Sequence, residues 1–377
     1  MQVVDVAIIG GGVIGLAVAR SLALRGVRRV VVVERSGPGS EASSAAAGML
    51  APQAEADCAD EFFHLACRSR DMYPAFANQL AAETGIDIEL DDAGTLYIAF
   101  TEEDEAEVAR RYEWQSRAGL PIERLSAYEA RMFEPCISED VATALRFPLD
   151  VQVENRRLVS ALAESSRQLG VSLLTGVGVV ALKVEHDIVV GLDTSAGFIT
   201  TPNVVVAAGA WTSSLVSRDK ALPGIGIEPV RGQMLCFESN PRVARHVIYS
   251  PRGYIVPRVD GRLLAGSTSE SAGFDKRVTG GGMYSILSHA FEISPLVAEM
   301  PIMDSWAGLR PRAPDNLPVL GPYAEIEGLF YATGHYRNGI LLAPITGELL
   351  AEAITERTVS PVMATFSPNR FGSVAVK

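Results

Sequence analysis

Cysteine is scarce in this sequence, which narrows the kinds of site that the chain can contain. The 377 residues include only four cysteines, namely Cys58, Cys67, Cys136 and Cys236. No two of them form a Cys-x-x-Cys pair, and His64 has no second pair of ligands with which to complete a metal site. We therefore expect no metal and no disulfide framework, with free thiols typical of a reducing cytoplasm.

Positive charge is also in short supply, and long apolar runs are absent. Because 33 Lys and Arg face 45 Asp and Glu, the formal net charge is −12, so the surface repels phosphate backbones and we expect no nucleic-acid partner. Residues Met1–Asp5 carry an acid and no basic region, and the apolar stretch that follows is interrupted by glycines and by Arg20. We expect neither a signal peptide nor a membrane span, and a cytoplasmic location.

The chain has ordinary globular composition and is long enough for two domains. Its hydrophobic content of 48% is that of a folded protein rather than a disordered one. Val3–Ile9 predicts a buried strand, Val13–Gly26 has the apolar spacing of a helix, and Val30–Val33 predicts a second buried strand. This β-α-β order predicts an α/β fold with a parallel sheet.

Later segments mix helical and strand patterns. Further helices are predicted at about 59–83, 102–118, 158–169 and 341–354. A hairpin is predicted for Val177–Val184 and Ile188–Thr194. Between about 223 and 300, short strands alternate with turns, which indicates a mostly antiparallel insertion and an α+β character overall.

Gly10-x-Gly12-x-x-Gly15 lies between the first predicted strand and helix. In this context the first glycine makes a tight turn, the second lets the backbone approach a pyrophosphate, and the third lets helix and strand pack closely. Glu34 ends the second predicted strand, 19 residues after Gly15, where an acid is expected to bind a ribose hydroxyl. Since the helix amino terminus adds N–H donors, the unit predicts a dinucleotide site.

The glycine motif alone does not distinguish FAD from NAD. Two further turns of small residues follow predicted strands, Ala208-Gly209 after Val204–Val206 and Gly334 after Leu329–Ala332. Each is another point where the backbone can approach an extended ligand. Because a plain NAD domain needs fewer such points, these turns favour FAD.

Five short motifs, spread along nearly the whole chain, form a recognisable set. They are Gly10–Gly15, Ser43–Leu50, Val205–Trp211, Trp306–Pro311 and Gly334–Pro344. Together they resemble the D-amino-acid oxidase superfamily of flavoproteins, and most of all its glycine-oxidase branch, for which the last two motifs are the most specific. The resemblance implies a Rossmann-like FAD-binding domain and a mostly antiparallel substrate-binding domain. The implied FAD-binding segments are 1–84, 150–222 and 304–366, the substrate-binding segments are 85–149 and 223–303, and a loose tail is 367–377.

The resemblance assigns many residues to the FAD site. Those expected along the ribityl chain and the flavin ring are Ser43, Ser44, Ala47, Gly48 and Met49, with Val179 against the adenine. The last helix is expected to begin beside the flavin N1–C2=O edge, where its amino terminus would stabilise the negative charge of reduced flavin, at Gly339, Ile340 and Leu341. The other residues implied in FAD binding are Gly10, Gly12, Val13, Ile14, Gly15, Glu34, Arg35, Ala208, Gly209, Trp211, Arg310, His335, Arg337 and Asn338.

The resemblance also implies that Arg310, Arg337 and Tyr254 hold and orient the substrate carboxylate. An arginine fork suits this task because it donates two parallel hydrogen bonds. Arg310 has apolar neighbours, which favours a buried role, whereas Arg337 could instead form a structural ion pair and Tyr254 could be a core aromatic. Met49 is expected to contact the substrate over the flavin or simply to fill the core, and His335 is expected to be structural rather than a base.

The implied activity is the FAD-dependent oxidation of glycine and other small amines or amino acids, such as sarcosine and small D-amino acids, by oxygen. The products would be a 2-oxo acid, ammonia and hydrogen peroxide, and the reaction would serve thiamine thiazole synthesis. Residues 303–345 contain no cysteine, so we expect non-covalent FAD. The resemblance further implies a homo-oligomer, specifically a tetramer.

Two alternatives stay open. The first is a D-amino-acid dehydrogenase that passes electrons to a quinone, which a membrane-docking patch would favour. The second is a non-catalytic FAD-bearing subunit, which the loss of Arg310 would favour. Ser269 beside Glu270 departs from the apolar side chain common in the family pocket, so the preferred substrate is left open.

Overall fold

The computed structural model describes residues 2–217, 219 and 222–372. The α-helices in these ranges are α1 (Val13–Leu24), α2 (Ala42–Ala45), α3 (Pro52–Glu55), α4 (Glu61–Thr84), α5 (Glu102–Arg117), α6 (Ala127–Phe133), α7 (Asn155–Gln168), α8 (Gly280–Ile293) and α9 (Ala343–Glu356). The strands are β1 (Gln2–Val3), β2 (Val6–Ile9), β3 (Val30–Glu34), β4 (Met49–Leu50), β5 (Thr95–Ala99), β6 (Glu123–Ser126), β7 (Thr143–Phe147), β8 (Val151–Gln152), β9 (Ser172–Thr175), β10 (Val179–Glu185), β11 (Ile188–Thr194), β12 (Gly197–Thr200), β13 (Val204–Val206), β14 (Glu228–Glu238), β15 (Val247–Tyr249), β16 (Tyr254–Pro257), β17 (Arg262–Gly266), β18 (Ile302–Arg312), β19 (Val319–Pro322) and β20 (Leu329–Thr333). Short 3-10 helices lie at Gly209–Ser214, Pro295–Glu299, Pro361–Met363 and Pro368–Phe371.

A six-stranded sheet organises the half of the molecule that contains the amino end. Its order is β19-β20-β13-β2-β3-β9, and all neighbours are parallel except β19 and β20. Val6 and Ile8 pack against α1, α4, α7 and α9, whereas Ala7 and Ile9 pack against the antiparallel strands β10, β11 and β12. Because both faces of the sheet are covered, its central strands are continuous apolar runs. The predicted β-α-β unit and the α/β fold class are confirmed.

An eight-stranded sheet organises the other half. Its order is β18-β14-β17-β16-β15-β5-β7-β6, and all its pairs are antiparallel except β5 and β15. The predicted antiparallel insertion is therefore present, but it also contains α8, which the sequence did not predict. Three glycines open that helix, and glycine is a poor helix former. The buried side chains of Ile286, Ala290 and Ile293 hold α8 against the sheet.

Two segment boundaries differ from expectation. β18 pairs with β14 from Arg312 back to Ile302, so it belongs to the eight-stranded sheet, although the expected boundary falls at 304. At the carboxyl end, Pro368–Phe371 forms a 3-10 helix and Arg370 Nε donates to Asp315 at 2.7 Å. Residues 367–372 are thus packed rather than loose, and residues 373–377 of the expected tail lie outside the described residues. In the described ranges, no helix combines the length and apolar character needed to cross a bilayer.

Candidate active site

A cavity of about 440 Å³ lies where the two sheets meet. The carboxyl ends of β2, β3, β13 and β20 form one wall, and β14, β16 and β18 contribute the other. Ligands of open α/β sheets bind at the carboxyl ends of parallel strands, so this is the expected place for a nucleotide. Both halves of the molecule contribute charged groups, including Glu34 and Arg35 from one half and Arg310 from the other.

The glycine turn after β2 is closely packed. Gly10 has φ of +105°, and a Cβ there would lie 2.4 Å from Ala207 O. A Cβ at Gly15 would lie 2.0 Å from Gly10 O, so the third glycine lets α1 pack against the turn and does not itself line the cavity. α1 begins after Gly12 without a cap from that residue, and Ser43 Oγ accepts from the first N–H, that of Val13, so the next N–H, that of Ile14, is the one left for a ligand. The motif residues that line the cavity are Gly10, Gly12, Val13 and Ile14.

Glu34 is held against this turn by two backbone N–H groups. Gly11 N donates to Glu34 Oε2 and Ser36 N donates to Glu34 Oε1, each at 2.8 Å. These bonds fix the direction of the carboxylate at the end of β3. The remaining lone pairs of its oxygens can accept from a ribose hydroxyl, as the motif predicts.

Arg35 and Trp211 form a stacked pair at the cavity wall. The guanidinium carbon of Arg35 lies 3.7 Å from the centroid of the Trp211 ring, whose centroid is 5.5 Å from that of Phe274. Glu41 accepts from Arg35 at 2.7 Å and from Lys276 at 2.8 Å. Since Phe274 and Lys276 belong to the eight-stranded half, these contacts join the two halves beside the nucleotide turn.

The loop that contains α2 is tied to α1 and α7. Val13 N donates to Ser43 Oγ at 3.0 Å, and Asn155 Nδ2 donates to Ser43 O at 2.7 Å. Ser44 Oγ donates to Gly39 O, so Ser44 braces the loop and does not line the cavity. The cavity-lining residues of this loop include Ser43, Ala47, Gly48 and Met49.

The segment between β20 and α9 is held by α4. Tyr73 donates to Ile340 O, and Ser69 Oγ donates to Leu341 O at 2.6 Å. α9 itself begins at Ala343, slightly later than predicted. Gly339 and Ile340 line the cavity, whereas Asn338 and Leu341 do not.

His335 also lines the cavity, and only 4% of its surface is exposed. Its Nε2 is 3.1 Å from Thr346 Oγ1. Burial lowers the pKa of the His335 imidazole to about 3, so the ring is neutral near pH 7. A neutral, hydrogen-bonded ring agrees with a structural role for His335.

The residues present fit FAD. The glycine turn provides backbone N–H donors, and the absence of a Cβ lets a pyrophosphate approach them closely. Glu34 provides the ribose acceptor, while the loop 42–49 and Gly339–Ile340 supply a continuous wall for a ring system. Ala208 and Gly209, one of the two further approach points predicted from the sequence, line the same cavity, whereas Gly334, the other, does not. Val179, which the resemblance places against the adenine, also lines the cavity.

Arg310 and Arg337 both line this cavity. Arg310 Nη1 donates to Thr268 O at 3.0 Å and its Nη2 donates to Ser267 Oγ at 2.7 Å. Within the described part of the chain, no carboxylate oxygen lies within 4 Å of either guanidinium, so the alternative of a close ion pair for Arg337 has no partner there. Two arginines without close counter-charges give the cavity a local affinity for anions, against the negative charge of the whole protein.

Tyr254, on β16, lines the same cavity as these arginines. Its hydroxyl donates to Met234 Sδ at 3.4 Å, and its ring stacks on Tyr249 with centroids 5.9 Å apart. Tyr249 stacks in turn on Tyr97 at 5.7 Å. Because sulfur is a weak acceptor, the Tyr254 hydroxyl can turn to a carboxylate oxygen at little cost. Met49 lines the cavity and also packs against buried neighbours, and its contact with a substrate over the flavin stays a prediction.

Glu55, at the end of α3, lines the cavity and was not identified from the sequence. Burial raises the pKa of its carboxyl group, and the positive charges of Arg337, Arg310 and Arg111 offset only part of that effect. The sole signal in the sequence was its position shortly after Met49. Glu55 belongs to no motif, and only the folding of α3 against the eight-stranded sheet brings it to the arginines.

Ser269 and Glu270, which departed from the family pattern, lie outside the cavity lining. Ser269 Oγ is 3.3 Å from Tyr336 Oη. The carboxylate of Glu270 accepts hydrogen bonds from Arg231 and from Gln233, whose Nε2 lies 2.7 Å away. Glu270 therefore adds no direct charge to the lining.

The cysteines stand apart from this site. All four have free thiols, and none lines the cavity. Across the described ranges, no group of three or more His, Cys, Asp or Glu side chains could hold a metal ion.

Comparisons with known proteins agree with the geometry. The family described as FAD dependent oxidoreductase (DAO) matches residues 5–353. The glycine oxidase of Geobacillus kaustophilus is 38% identical over 99% of both chains, and its crystal structure superimposes with a TM-score of 0.93 over 98% of this chain and 99% of that one. The bifunctional protein ThiO/ThiG of Trichormus variabilis is 39% identical over 97% of this chain, which spans 55% of that relative. The protein therefore belongs to the D-amino-acid oxidase family of FAD-dependent oxidoreductases, in its glycine oxidase branch, as the five motifs predicted.

Proposed function

We propose that the protein oxidises glycine and other small amines or amino acids, such as sarcosine and small D-amino acids, with oxygen. FAD held by the glycine turn, Glu34 and the loop 42–49 would supply the redox chemistry, a two-electron oxidation of the substrate whose electrons go to oxygen and yield hydrogen peroxide. The imine product then adds water and releases the 2-oxo acid together with ammonia, or with methylamine when sarcosine is the substrate. The relatives named glycine oxidase support this substrate class.

One observation carries the proposal, which is that Arg310, Arg337 and Tyr254 share a cavity with the nucleotide turn. A substrate carboxylate that accepts hydrogen bonds from the Arg310 guanidinium and the Tyr254 hydroxyl is fixed at one end of the substrate. Because the α-carbon is bonded directly to that carboxylate, its position is fixed as well. Orientation of this kind supplies much of the acceleration in a reaction where one bond must align with an acceptor.

The charges of the cavity also suit an amine substrate. Oxidation by hydride transfer needs the unprotonated amine, and two guanidinium groups disfavour the ammonium form. Glu55 opposes this effect, although burial raises its pKa and so lowers its charge. The low pKa of His335, about 3, makes its imidazole too weak a base to hold the amine proton near neutral pH, so we assign the loss of that proton to solvent and to the field of the cavity.

Oxygen uptake by the purified protein tests the proposal. Glycine, sarcosine and D-alanine should each be tried, with at least one supporting uptake and peroxide release. Arg310→Ala should raise the KM strongly, whereas Arg312→Ala, which removes a partly exposed arginine paired with Glu228 at 2.9 Å, should not. The absence of uptake with all three substrates would contradict an oxidase and leave a quinone-linked dehydrogenase or a non-catalytic subunit.

The wider setting is also a proposal. We infer that the enzyme acts in the cytoplasm, supplies thiamine thiazole synthesis and assembles as a tetramer. Free thiols support the first inference and the ThiO/ThiG relatives support the second. Exposed apolar side chains support the third, for Tyr284 on α8 is 75% exposed, and Ile302 and Met303 on β18 are each 56% exposed. The mass in solution, measured by light scattering, would decide the assembly.

A further inference from the structure

Arg258 is a buried arginine just outside the cavity lining. It follows β16 directly and is 3% exposed. Its Nη1 donates to Val153 O at 2.8 Å and to Gln152 Oε1 at 3.1 Å. Its Nη2 donates to Ala47 O at 2.8 Å and to Asn155 Oδ1 at 3.2 Å. Four acceptors from two separate segments are therefore gathered on one guanidinium.

The charge of Arg258 has no counter-charge in direct contact, although the carboxylates of Glu154, Glu89 and Asp260 act on it from farther away. In the described part of the chain, no carboxylate oxygen lies within 4 Å of it, and its Nε has no hydrogen-bond partner. Burial lowers the pKa of Arg258 to about 10, which still leaves it charged at neutral pH. A buried cation held only by neutral oxygens is costly, and proteins retain such groups mostly where function uses them.

Two of the groups that accept hydrogen bonds from Arg258 belong to the cavity-lining loop or are bonded to it. Ala47 O belongs to the segment Ala47–Met49, and Gly48, with φ of +72°, packs so closely that a Cβ there would lie 2.0 Å from Val153 O. Asn155 also holds Ser43 O at 2.7 Å. Arg258 thus connects the strand that carries Tyr254, the start of α7 and the cavity loop.

We propose that Arg258 is a positioning residue of the FAD site, which fixes the segment Ala47–Met49 and whose buried charge, with no carboxylate in direct contact, favours the anionic reduced form of the bound flavin. The inference follows from three observations together, namely the burial of Arg258, its bond to a cavity-lining segment and the lack of a carboxylate partner. A low local dielectric lets such a charge act over several ångströms. The inference concerns FAD binding and does not depend on which amine is the substrate.

Three readouts other than turnover test the inference on the holoenzyme. They are the Kd for FAD after reconstitution, the reduction potential of the flavin, and the Kd for sulfite, an anion whose addition to oxidised flavin reports positive charge nearby. Arg258→Met should weaken sulfite binding at least tenfold, lower the potential and weaken FAD binding. Arg258→Lys keeps the charge and loses the fork, so it should recover most of the sulfite affinity while FAD remains more weakly bound.

Arg242→Met is the matched control, because Arg242 is paired with Asp91 at 3.0 Å and lies outside the cavity lining. It should leave sulfite affinity within twofold of the parent. A folded Arg258→Met protein with the parent's sulfite Kd, potential and FAD Kd overturns the proposal. If that variant fails to fold, Asn155→Asp provides the test, because it places a carboxylate beside the Arg258 guanidinium. It should also weaken sulfite binding. Unchanged sulfite binding in Asn155→Asp would overturn the proposal.

Discussion

The guanidinium of Arg310 occupies the space that a side chain at Gly232 would need. A Cβ on Gly232 would lie 2.2 Å from Arg310 Nη2 and 2.3 Å from its Cζ. The two residues belong to the paired strands β14 and β18, and both line the cavity. The missing side chain on β14 therefore allows the arginine to lie across that strand, with its fork directed by Thr268 O and Ser267 Oγ.

Gly232→Ala should displace the Arg310 fork and weaken the binding of the substrate carboxylate. We expect the KM for glycine to rise by about tenfold or more, since a charge-assisted bidentate contact is worth about 1.5–3 kcal/mol. Steady-state oxygen uptake measures this. Gly281→Ala is the control, because a Cβ at Gly281 meets nothing within 4 Å. Equal KM values for the two variants would show that Arg310 does not depend on the space at Gly232.

Glu55→Gln should make the cavity a stronger anion site. The substitution removes a cavity-lining carboxylate that interacts with both Arg337 and Arg310, so acetate should bind several-fold more tightly. The perturbation of the flavin absorbance during an acetate titration measures the Kd. Glu102→Gln, on an exposed turn of α5, should leave it unchanged. Weaker acetate binding in Glu55→Gln would mean that Glu55 orients the arginines rather than opposing them.

Asp150 should make stability depend on pH. It is fully buried, accepts from Ala54 N at 2.9 Å and Gln53 N at 3.3 Å, and burial raises its pKa from 3.8 to about 7. A carboxyl with a raised folded pKa contributes stability that is complete below the unfolded pKa and is lost as the pH rises through the folded pKa. The free energy of unfolding relative to Asp150→Asn should therefore fall between about pH 4 and pH 7, by at most about 4 kcal/mol.

Denaturant unfolding at pH 5, 6, 7 and 8 measures this difference. The exposed Asp92 provides a control, since Asp92→Asn should track the parent across the series. A constant difference between the parent and Asp150→Asn would mean that Asp150 stays ionised throughout, held by the two N–H groups and by Arg70 at 3.7 Å.

FAD should be released by acid. No cysteine lines the cavity, so no thioether to the flavin is possible there. Precipitation of the yellow holoenzyme with trichloroacetic acid should leave the flavin in the supernatant and a colourless pellet. A coloured pellet would require attachment through another side chain, which peptide mapping of the pellet would locate.

Much of the site could be predicted because its motifs are local. The turn Gly10–Gly15, the acid at Glu34 and the loop around Gly48 act through backbone geometry that neighbouring residues set. The resemblance then placed Arg310, Arg337 and Tyr254 in one site, and all three line the cavity. Four other residues that the motifs named do not line the cavity and belong to the structure around it. They are Gly15, Ser44, Asn338 and Leu341.

The sequence by itself determined the β-α-β unit, the nucleotide turn and the family, since these depend on residue spacing within short segments. Only the tertiary structure decided that Glu55 meets the arginines, that Gly232 makes room for Arg310, and that Arg258 carries a buried charge without a carboxylate. These relationships join residues more than seventy positions apart in the chain. No local pattern encodes them, because burial and proximity arise only when the two sheets close on each other.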